Sequence, residues 1–209
     1  MIKKILFFDT ETTGLFCKDY NDLKNMPHLI QLGYAAYKDK GSGFVLAKEV
    51  STLVNPFGGE FKISQDAFNA HGISTEEVLE KGISTDIVMQ PFLRAVEWAD
   101  LVVCHNVWFD KTLALCEVAR LQNAFGKDVV VNHLLSAKIF CTMKFMTDIM
   151  KLEKTGKAAY YGGFKFPKLE ETHQFLFNEG FDGAHDAISD VRATARCFFE
   201  ICKLYKPTF

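Results

Sequence analysis

The stretch that decides the fold class is residues 2–14, IKKILFFDTETTG. Its β-branched, aromatic and leucine residues up to Phe8 predict a β-strand. Because side chains alternate between the two faces of a strand, Asp9 and Glu11 point the same way. Two carboxylates on one face repel each other and resist burial, which favours a hard divalent cation between them. The Thr-Thr-Gly that follows offers hydroxyls, backbone N–H groups and a flexible turn, as a phosphate-handling loop requires.

Composition indicates an ordinary globular protein. The 209 residues suffice for one sizeable α/β domain, with 48% apolar and 24% charged residues. No apolar run approaches the roughly 20 residues of a membrane-spanning helix. The apolar run that Asp9 ends is too short for a secretory signal. The six cysteines form no C-x-x-C pair and lie mostly in apolar segments, which favours free thiols. We therefore expect a cytoplasmic protein with no membrane partner.

Charge is distributed unevenly along the chain. The net charge of −2 gives no global electrostatic footprint for a long nucleic acid. Residues 144–168, however, contain six lysines and two acids: Lys144, Lys151, Lys154, Lys157, Lys165, Lys168, Asp148 and Glu153. Tyr160, Tyr161, Phe164 and Phe166 are interleaved among them. Taken alone, this segment favours a solvated surface loop whose aromatics pack inward. The alternative is a rim where phosphates meet lysines and bases stack.

The pattern along the chain predicts an α/β fold. Strands are predicted at Ile2–Phe8, Ile30–Tyr37, Phe44–Val54 and Leu101–Cys104. Helices are predicted at Ser64–Asn69, from Ser74, at Phe92–Ala99, from about Asp110 to Phe125, at Lys168–Phe177 and at Ile188–Leu204. Early strands followed by alternating strands and helices imply a mixed sheet with helices on both faces. No linker or repeat divides the chain, so we expect residues 1–209 to form a single domain.

Two more acids lie at the starts of predicted helices. Asp110 closely follows an apolar strand where a helix begins, and alone it would be a helix-capping or first-turn aspartate. Asp190 lies in residues 184–191, AHDAISDV, at the start of the last helix, and alone it too would be a surface acid. His185 lies five residues before Asp190, in or just before that helix. A single histidine in a loop is usually just solvent-exposed.

Together these residues resemble the DnaQ-like, or DEDDh, 3′–5′ exonucleases, which include the proofreading (epsilon) subunits of bacterial DNA polymerase III. The three motifs match in order as Asp9-Thr10-Glu11, His105-Asn106-x-x-Phe109-Asp110 and His185-x-Ala187-x-x-Asp190. Secondary matches occur at residues 71–73 (HGI), 141–143 (CTM) and 166–169 (FPKL). The resemblance extends from about Ile5 to about Ala195. One D-x-E motif is a weak signal, but three motifs in order at fitting separations are a strong one.

The resemblance implies an RNase H-like mixed five-stranded sheet flanked by helices on both faces, holding two divalent metal ions, Mg²⁺ or Mn²⁺. The metal-binding carboxylates of the family correspond to Asp9, Glu11, Asp110 and Asp190. Such a pair of ions clamps the attacking and leaving oxygens of an in-line displacement. His185 matches the general base, a role that suits a side chain able to accept protons near neutral pH. A sister subgroup has tyrosine four residues before the last aspartate; Asp186 stands there, so the histidine subgroup fits.

The resemblance also implies contacts with the terminal nucleotide of the substrate. Thr10 and Thr13 would lie beside that nucleotide, and His71 matches a residue that contacts it. Asp66 replaces a glutamate of some family members and is shorter by one methylene. Leu15 matches an apolar side chain that wedges against the terminal base, although simple packing under the loop explains it equally well.

The resulting hypothesis is a metal-dependent 3′–5′ exonuclease that releases nucleoside 5′-monophosphates from single-stranded or frayed DNA ends. Polymerase proofreading is one setting for this activity, and the polymerase would then be a separate partner. Two alternatives stay open: an RNA-trimming enzyme with the same site, and a non-catalytic nucleic-acid-binding module on the same fold. A complete set of four carboxylates and a histidine argues against the last, because a binding module does not need them.

Overall fold

A mixed β-sheet lies at the centre of the computed structural model, which describes residues 2–19, 22–58, 60–127, 130–156 and 162–209. Within these residues the sheet has six strands: β1 (Lys4–Thr12), β2 (Leu29–Asp39), β3 (Phe44–Asn55), β4 (Ile83–Ser84), β5 (Leu101–Cys104) and β6 (Ile139–Cys141). Their order across the sheet is β4-β3-β2-β1-β5-β6. The β1–β2 and β2–β3 pairs are antiparallel, whereas β5 is parallel to β1, β6 to β5 and β4 to β3.

Helices cover both faces of the sheet, as predicted. They are α1 (Gln65–His71), α2 (Thr75–Lys81), α3 (Thr85–Trp98), α4 (Val107–Phe125), α5 (Thr142–Met150), α6 (Leu169–Phe177) and α7 (Ala187–Tyr205). The alternation along β1 divides the core, because Leu6 and Phe8 pack with α3 and α4 on one face. On the other face, Ile5 and Phe7 pack with α7. Every second residue of β1 therefore faces α7, and this places Asp9 and Glu11 on the α7 side.

The predicted fold class is confirmed, with differences in detail. The two-residue strand β4 raises the strand count from five to six, and it is too short to leave a periodic pattern. Strand β1 continues to Thr12, so Asp9 and Glu11 lie inside the strand, opposite Gly33 and Gln31 of β2. The predicted helix starts at Ser64 and Ser74 are confirmed, because each hydroxyl accepts a hydrogen bond from the backbone N–H three residues later.

Two helix predictions need correction. Helix α3 begins at Thr85, seven residues before the predicted Phe92. The reason is Pro91, which indicates a helix boundary in sequence but is tolerated inside this helix. Helix α5 occupies part of the lysine-rich segment that was predicted as a loop. Lys157, Tyr160 and Tyr161 of that segment lie outside the described residues.

The start of α7 lies directly against β2 at Gly33. A Cβ atom at Gly33 would lie 2.6 Å from the carbonyl carbon and 2.7 Å from the carbonyl oxygen of Ala187. Gln31 fixes the same contact: its Oε1 accepts from the Ala187 N–H at 3.0 Å, and its Nε2 donates to Asp186 Oδ1 at 2.9 Å. The residues around the start of α7, including His185 and Asp190, are thereby held over the α7 face of β1 and β2.

We expect Gly33→Ala to destabilise the protein, because the new methyl group meets backbone atoms that cannot rotate away. Overpacking of this kind typically costs about 1–3 kcal/mol, which corresponds to a fall of about 3–10 °C in the midpoint of thermal unfolding. Gly180→Ala is the matched control, since nothing lies within 4 Å of its Cβ position. Equal midpoints for the two variants would contradict the close approach of α7 to β2.

Among the described residues, no helix combines the length and the apolar character that crossing a membrane requires. This agrees with the sequence, in which no apolar run of that length occurs.

Candidate active site

The four predicted carboxylates converge at the edge of the sheet where the parallel strands β1 and β5 end. Asp9 and Glu11 come from β1, Asp110 from the first turn of α4 and Asp190 from the first turn of α7. Asp110, Asp190 and Glu11 all act electrostatically on the Asp9 carboxylate, so the four groups share one region. Residues up to 181 positions apart in sequence thus lie together, and we call these four carboxylates the acidic cluster.

Strand β1 contributes to the acidic cluster from both of its faces. Asp9 and Glu11 lie on the α7 side, whereas Thr10 points to the α4 side and is buried. The Thr10 hydroxyl donates a hydrogen bond to Asp110 Oδ1 at 2.8 Å. Asp110 is only 3% exposed, so this bond fixes the orientation of a buried carboxylate and ties α4 to β1.

The third motif supplies an exposed histidine next to Asp190. His185 precedes α7 in the left-handed backbone conformation (φ 66°), and its backbone N–H donates to Asp190 Oδ2 at 3.1 Å. One ligand atom from each of Glu11, His185 and Asp190 lies within 4.8 Å of the other two. This geometry allows His185 to reach either a bound ion or a water molecule beside it.

Burial and mutual repulsion raise the pKa values of the carboxylates in the acidic cluster. Burial, followed by the neighbouring carboxylates, raises the pKa of Glu11 to about 8. Burial also raises the pKa of Asp110 to about 7 and that of Asp190 to about 6. The pKa of Asp9 lies well above its usual range for the same two reasons. An all-oxygen donor set with this much unbalanced charge fits hard divalent cations such as Mg²⁺ and Mn²⁺.

These pKa shifts predict how the stability of the metal-free protein depends on pH. The folded-state pKa values of Glu11, Asp110 and Asp190 are raised, so the folded chain binds more protons than the unfolded chain. The stability that these groups contribute should therefore be fully present below about pH 4 and be lost as the pH rises through about 6 to 8. We expect the thermal midpoint in EDTA to decrease over that range, and Mn²⁺ to raise it most at the alkaline end. A midpoint in EDTA that increases from about pH 6 to 8 would contradict the acidic cluster as described.

Two cavities meet at His185. The terminal cavity, of about 470 Å³, is lined by Leu15, Asp66 and His71 together with Glu11. The acidic cavity, of about 300 Å³, includes Asp9 and Asp190 in its lining. His185 lines both cavities, so it stands where a chain passing from one to the other would meet the acidic cluster.

The residues predicted to contact substrate divide into two groups. Leu15, Asp66 and His71 line the terminal cavity, and Leu15 is 84% exposed. The side chains of Thr10 and Thr13 are buried: Thr10 bonds Asp110, and the Thr13 hydroxyl accepts from the His28 N–H at 2.9 Å. The side chains of those two threonines therefore contact protein groups and do not line the terminal cavity.

His71 presents its ring to the terminal cavity with both nitrogens engaged. Nδ1 accepts from the Ile73 N–H at 3.0 Å, so Nε2 carries the proton and donates to the Thr12 carbonyl at 3.2 Å. Burial lowers the pKa of His71, which favours this neutral form. His71 therefore offers a ring surface to a ligand and not a positive charge.

His105 belongs to the second motif, but the sequence predicted no role for it. Its Nε2 lies 3.0 Å from the Pro167 carbonyl, which can only accept, so Nε2 is the donor. Burial lowers the pKa of His105 to about 4, so the ring is neutral and Nδ1 accepts from the Thr142 hydroxyl at 3.0 Å. His105 thus ties the segment before α6 to the end of β5. Gln31 was also missed, because its partner Asp186 lies 155 residues away and no local pattern connects them.

The mixed sheet, with an acidic cluster at the ends of β1 and β5, is the RNase H-like fold of exonucleases. The sequence model of the RNase T exonuclease family matches residues 6–198. The chain therefore belongs to the RNase T exonuclease family. No match emerged when the sequences of curated proteins were compared with this chain.

Solved structures of exonuclease I share this fold. E. coli exonuclease I in complex with a dT13 oligonucleotide superposes with a TM-score of 0.69 at 17% identity, over 98% of this chain and 42% of that one. The zinc-bound E. coli ExoI–ssDNA complex gives 0.67 at 16% identity, over 99% and 42%. Exonuclease I from Methylocaldum szegediense gives 0.66 at 16% identity, over 98% and 41%. The chain thus spans about two fifths of the length of these enzymes.

Proposed function

We propose that the chain is a metal-dependent 3′–5′ exonuclease of the DEDDh type. It would hydrolyse phosphodiester bonds at single-stranded or frayed 3′ ends of DNA and release nucleoside 5′-monophosphates. The observation that carries the proposal is the convergence of Asp9, Glu11, Asp110 and Asp190 beside His185. Residues 1–209 would form one catalytic domain, and the protein would be cytoplasmic.

The acidic cluster is the proposed metal site. Asp9, Glu11, Asp110 and Asp190 would hold two divalent cations, Mg²⁺ or Mn²⁺. When bound, such ions activate water and stabilise charge on the transferred phosphoryl group. The chain contributes pre-arranged ligands: Thr10 orients Asp110, and the His185 backbone N–H orients Asp190. These hydrogen bonds limit the reorganisation that metal binding requires.

His185 is the proposed general base. Its side chain is exposed and lies where the two cavities meet, within reach of a water molecule that attacks a phosphate over the acidic cluster. Its backbone is fixed by the bond to Asp190, while the ring is left to accept a proton. Removal of a proton from the water generates the hydroxide that bonds to phosphorus. The bond between phosphorus and the 3′-oxygen of the preceding nucleotide breaks, and that oxygen takes up a proton to become a 3′-hydroxyl group.

The terminal cavity is the proposed site of the 3′-terminal nucleoside. Its volume of about 470 Å³ lies within the usual range for small-ligand sites. Leu15 and the His71 ring supply apolar surface, and Asp66 supplies a carboxylate for a sugar hydroxyl. Thr10, in β1, and Thr13, just after it, would support this nucleotide through their backbone.

Single-stranded DNA is the substrate that the comparisons favour, since the similar exonuclease I structures hold dT13 and other single-stranded oligonucleotides. A proofreading role beside a separate polymerase, similar to that of the epsilon subunit, is a narrower form of the proposal. RNA trimming by the same site is the second candidate, because the acidic cluster and its metals act on a phosphate that DNA and RNA share.

Digestion of matched 5′-labelled DNA and RNA oligonucleotides tests the proposal. We expect stepwise shortening from the 3′ end in Mg²⁺ or Mn²⁺, none in EDTA, and mononucleotides carrying a 5′-phosphate as products. Comparison of single-stranded with 3′-recessed DNA shows which kind of 3′ end is preferred. Comparison of DNA with the matched RNA distinguishes the two candidate substrates. Oligonucleotides that bind but stay uncut in either metal would instead indicate a non-catalytic binding module.

A further inference from the structure

One wall of the acidic cavity carries an aromatic and a basic side chain. This wall is the segment Phe166–Lys168, which precedes α6 and lines the cavity together with Asp9, Asp190 and His185. Phe166 is 57% exposed although it lies beside the acidic cluster. Single exposed aromatics are common on protein surfaces, so exposure alone assigns no role. The shared lining with the acidic cluster is what distinguishes this one.

The backbone on both sides of Phe166 is fixed. The Pro167 carbonyl accepts from His105 Nε2 at 3.0 Å, and the Lys165 N–H donates to the Leu152 carbonyl at 2.8 Å. Glu171 Oε2 accepts from the Lys168 N–H at 2.8 Å. The Phe166 ring is therefore presented by an ordered segment, and a ligand that stacks on it does not have to order the backbone.

The wall offers one positive charge to a phosphate, that of Lys168. Lys165 forms an ion pair with Glu171, so its charge is largely balanced. Lys168 acts on Glu171 only at longer range and forms no ion pair among the described residues. It is the one lysine or arginine in the described lining of the acidic cavity. That lining also contains Asp9, Glu170 and Asp190, which would repel a polyanion. Lys168 supplies the attraction there that a nucleic acid backbone needs.

We propose that Phe166 and Lys168 form the subsite for the nucleotide that precedes the scissile phosphate. This inference rests on the proposed function and extends it. Hydrolysis near a 3′ end places one nucleoside on each side of the phosphate, and the terminal cavity takes the terminal one. The acidic cavity, joined to it at His185, takes the other: its base stacks on Phe166 and its own 5′-phosphate contacts Lys168. An unpaired base is required, because a base within a duplex has no free face.

Two substrates separate this subsite from the catalytic step. In thymidine 5′-(p-nitrophenyl phosphate), nitrophenol replaces the preceding nucleotide, whereas oligo-dT retains it. We expect Phe166→Ala to raise KM for oligo-dT about tenfold, since one base–aromatic stack is lost. Lys168→Ala should raise it several-fold, and more at low salt. Both variants should change KM for the nitrophenyl ester far less than KM for oligo-dT, since this ester lacks the preceding base, its sugar and its 5′-phosphate. Equal impairment on both substrates, or an unchanged KM for oligo-dT, would overturn the subsite.

Matched variants and substrates control for other causes. Phe175 is 51% exposed and lines neither cavity, and Lys138 is an exposed lysine outside both, so Phe175→Ala and Lys138→Ala should leave KM unchanged. Phe166→Tyr and Lys168→Arg should retain tight binding. An oligo-dT with an abasic penultimate nucleotide should raise the wild-type KM to the Phe166→Ala value and affect that variant no further. A penultimate abasic site without effect on the wild type would contradict the stack.

A binding measurement distinguishes failure of the subsite from failure of the proposed function. Anisotropy of a fluorescent oligo-dT with Ca²⁺ reports affinity whether or not the chain hydrolyses DNA. Weaker binding by Phe166→Ala and Lys168→Ala supports the subsite even if neither substrate is cut, which would reject only the exonuclease. Equal binding by wild type and both variants rejects the subsite, even for an active exonuclease.

Discussion

Asp9→Asn should abolish hydrolysis and, in the absence of metal, raise the thermal stability of the protein. Asp9 belongs to the acidic cluster, and its pKa is raised by burial and by three neighbouring carboxylates. Asparagine keeps the shape of the side chain but removes its charge. We expect a loss of activity on the order of 10³-fold or more, because metal ions supply several kcal/mol of transition-state stabilisation.

The gain in stability follows from the same charge. A carboxylate whose folded-state pKa is raised destabilises the folded chain at neutral pH, and a neutral side chain removes that penalty. If the relief is on the order of 2 kcal/mol, the thermal midpoint in EDTA rises by about 4–8 °C. Mn²⁺ should then stabilise the variant less than the wild type. A variant that is less active but more stable is expected only if the Asp9 carboxylate serves catalysis and destabilises the folded chain.

Asp148→Asn is the matched control for this variant. Asp148 is an exposed aspartate of α5 and lies in the lining of neither cavity. Its replacement should leave activity, the thermal midpoint and the effect of Mn²⁺ unchanged. An Asp9→Asn protein with wild-type activity would exclude the acidic cluster as the catalytic centre.

His185→Gln is expected to lower kcat by about 10²- to 10⁴-fold with little change in KM, because a positioned general base contributes about that much. The ring stands where the two cavities meet, and the remaining contacts of the substrate lie elsewhere. Glutamine retains polarity and similar size but cannot accept the proton at neutral pH. Steady-state kinetics on oligo-dT give both parameters.

The geometry of His185 also permits metal ligation, and one measurement separates the two roles. A ring nitrogen of His185 lies within 4.8 Å of ligand atoms of Glu11 and Asp190. If His185 is the base, His185→Gln should bind Mn²⁺ with wild-type affinity, as monitored by the rise of the thermal midpoint with Mn²⁺ concentration. A large loss of Mn²⁺ affinity would assign the ring to the metal. His133→Gln, a histidine in neither cavity near the acidic cluster, controls for loss of an imidazole.

Local patterns sufficed to predict the fold class and to select the residues that converge. The alternation in residues 2–14 places Asp9 and Glu11 on one face, and that relation survives because β1 pairs on both sides. Asp110 and Asp190 were selected by motif spacing. Their convergence with β1 depends on chain topology, which motif order within a known family conveys and composition does not.

What the sequence could not predict are interactions between distant residues. The hydrogen bonds of His105 to Pro167 and of Gln31 to Asp186 join residues 62 and 155 positions apart, and neither pair leaves a periodic signal. The start of α3 before Pro91 and the two-residue strand β4 were not predicted for a different reason. Tertiary packing overrides the local preference of the sequence at both places. The basic segment was predicted as a surface loop, with a nucleic-acid-binding rim as the alternative, and part of it forms α5. Within it, Lys168 lines the acidic cavity whereas Lys165 is paired with Glu171.

The two-faced use of β1 restricts how this protein can change over evolution. Asp9 and Glu11 serve the α7 side of the sheet, while Thr10 between them serves Asp110 on the α4 side. One inserted or deleted residue upstream in the strand would exchange these sides and invert all three side chains together. Substitutions can accumulate one at a time in β1, but changes of length cannot. The β2–β3 turn carries no such constraint, so related proteins should vary in the length of that turn and keep the length of β1 constant.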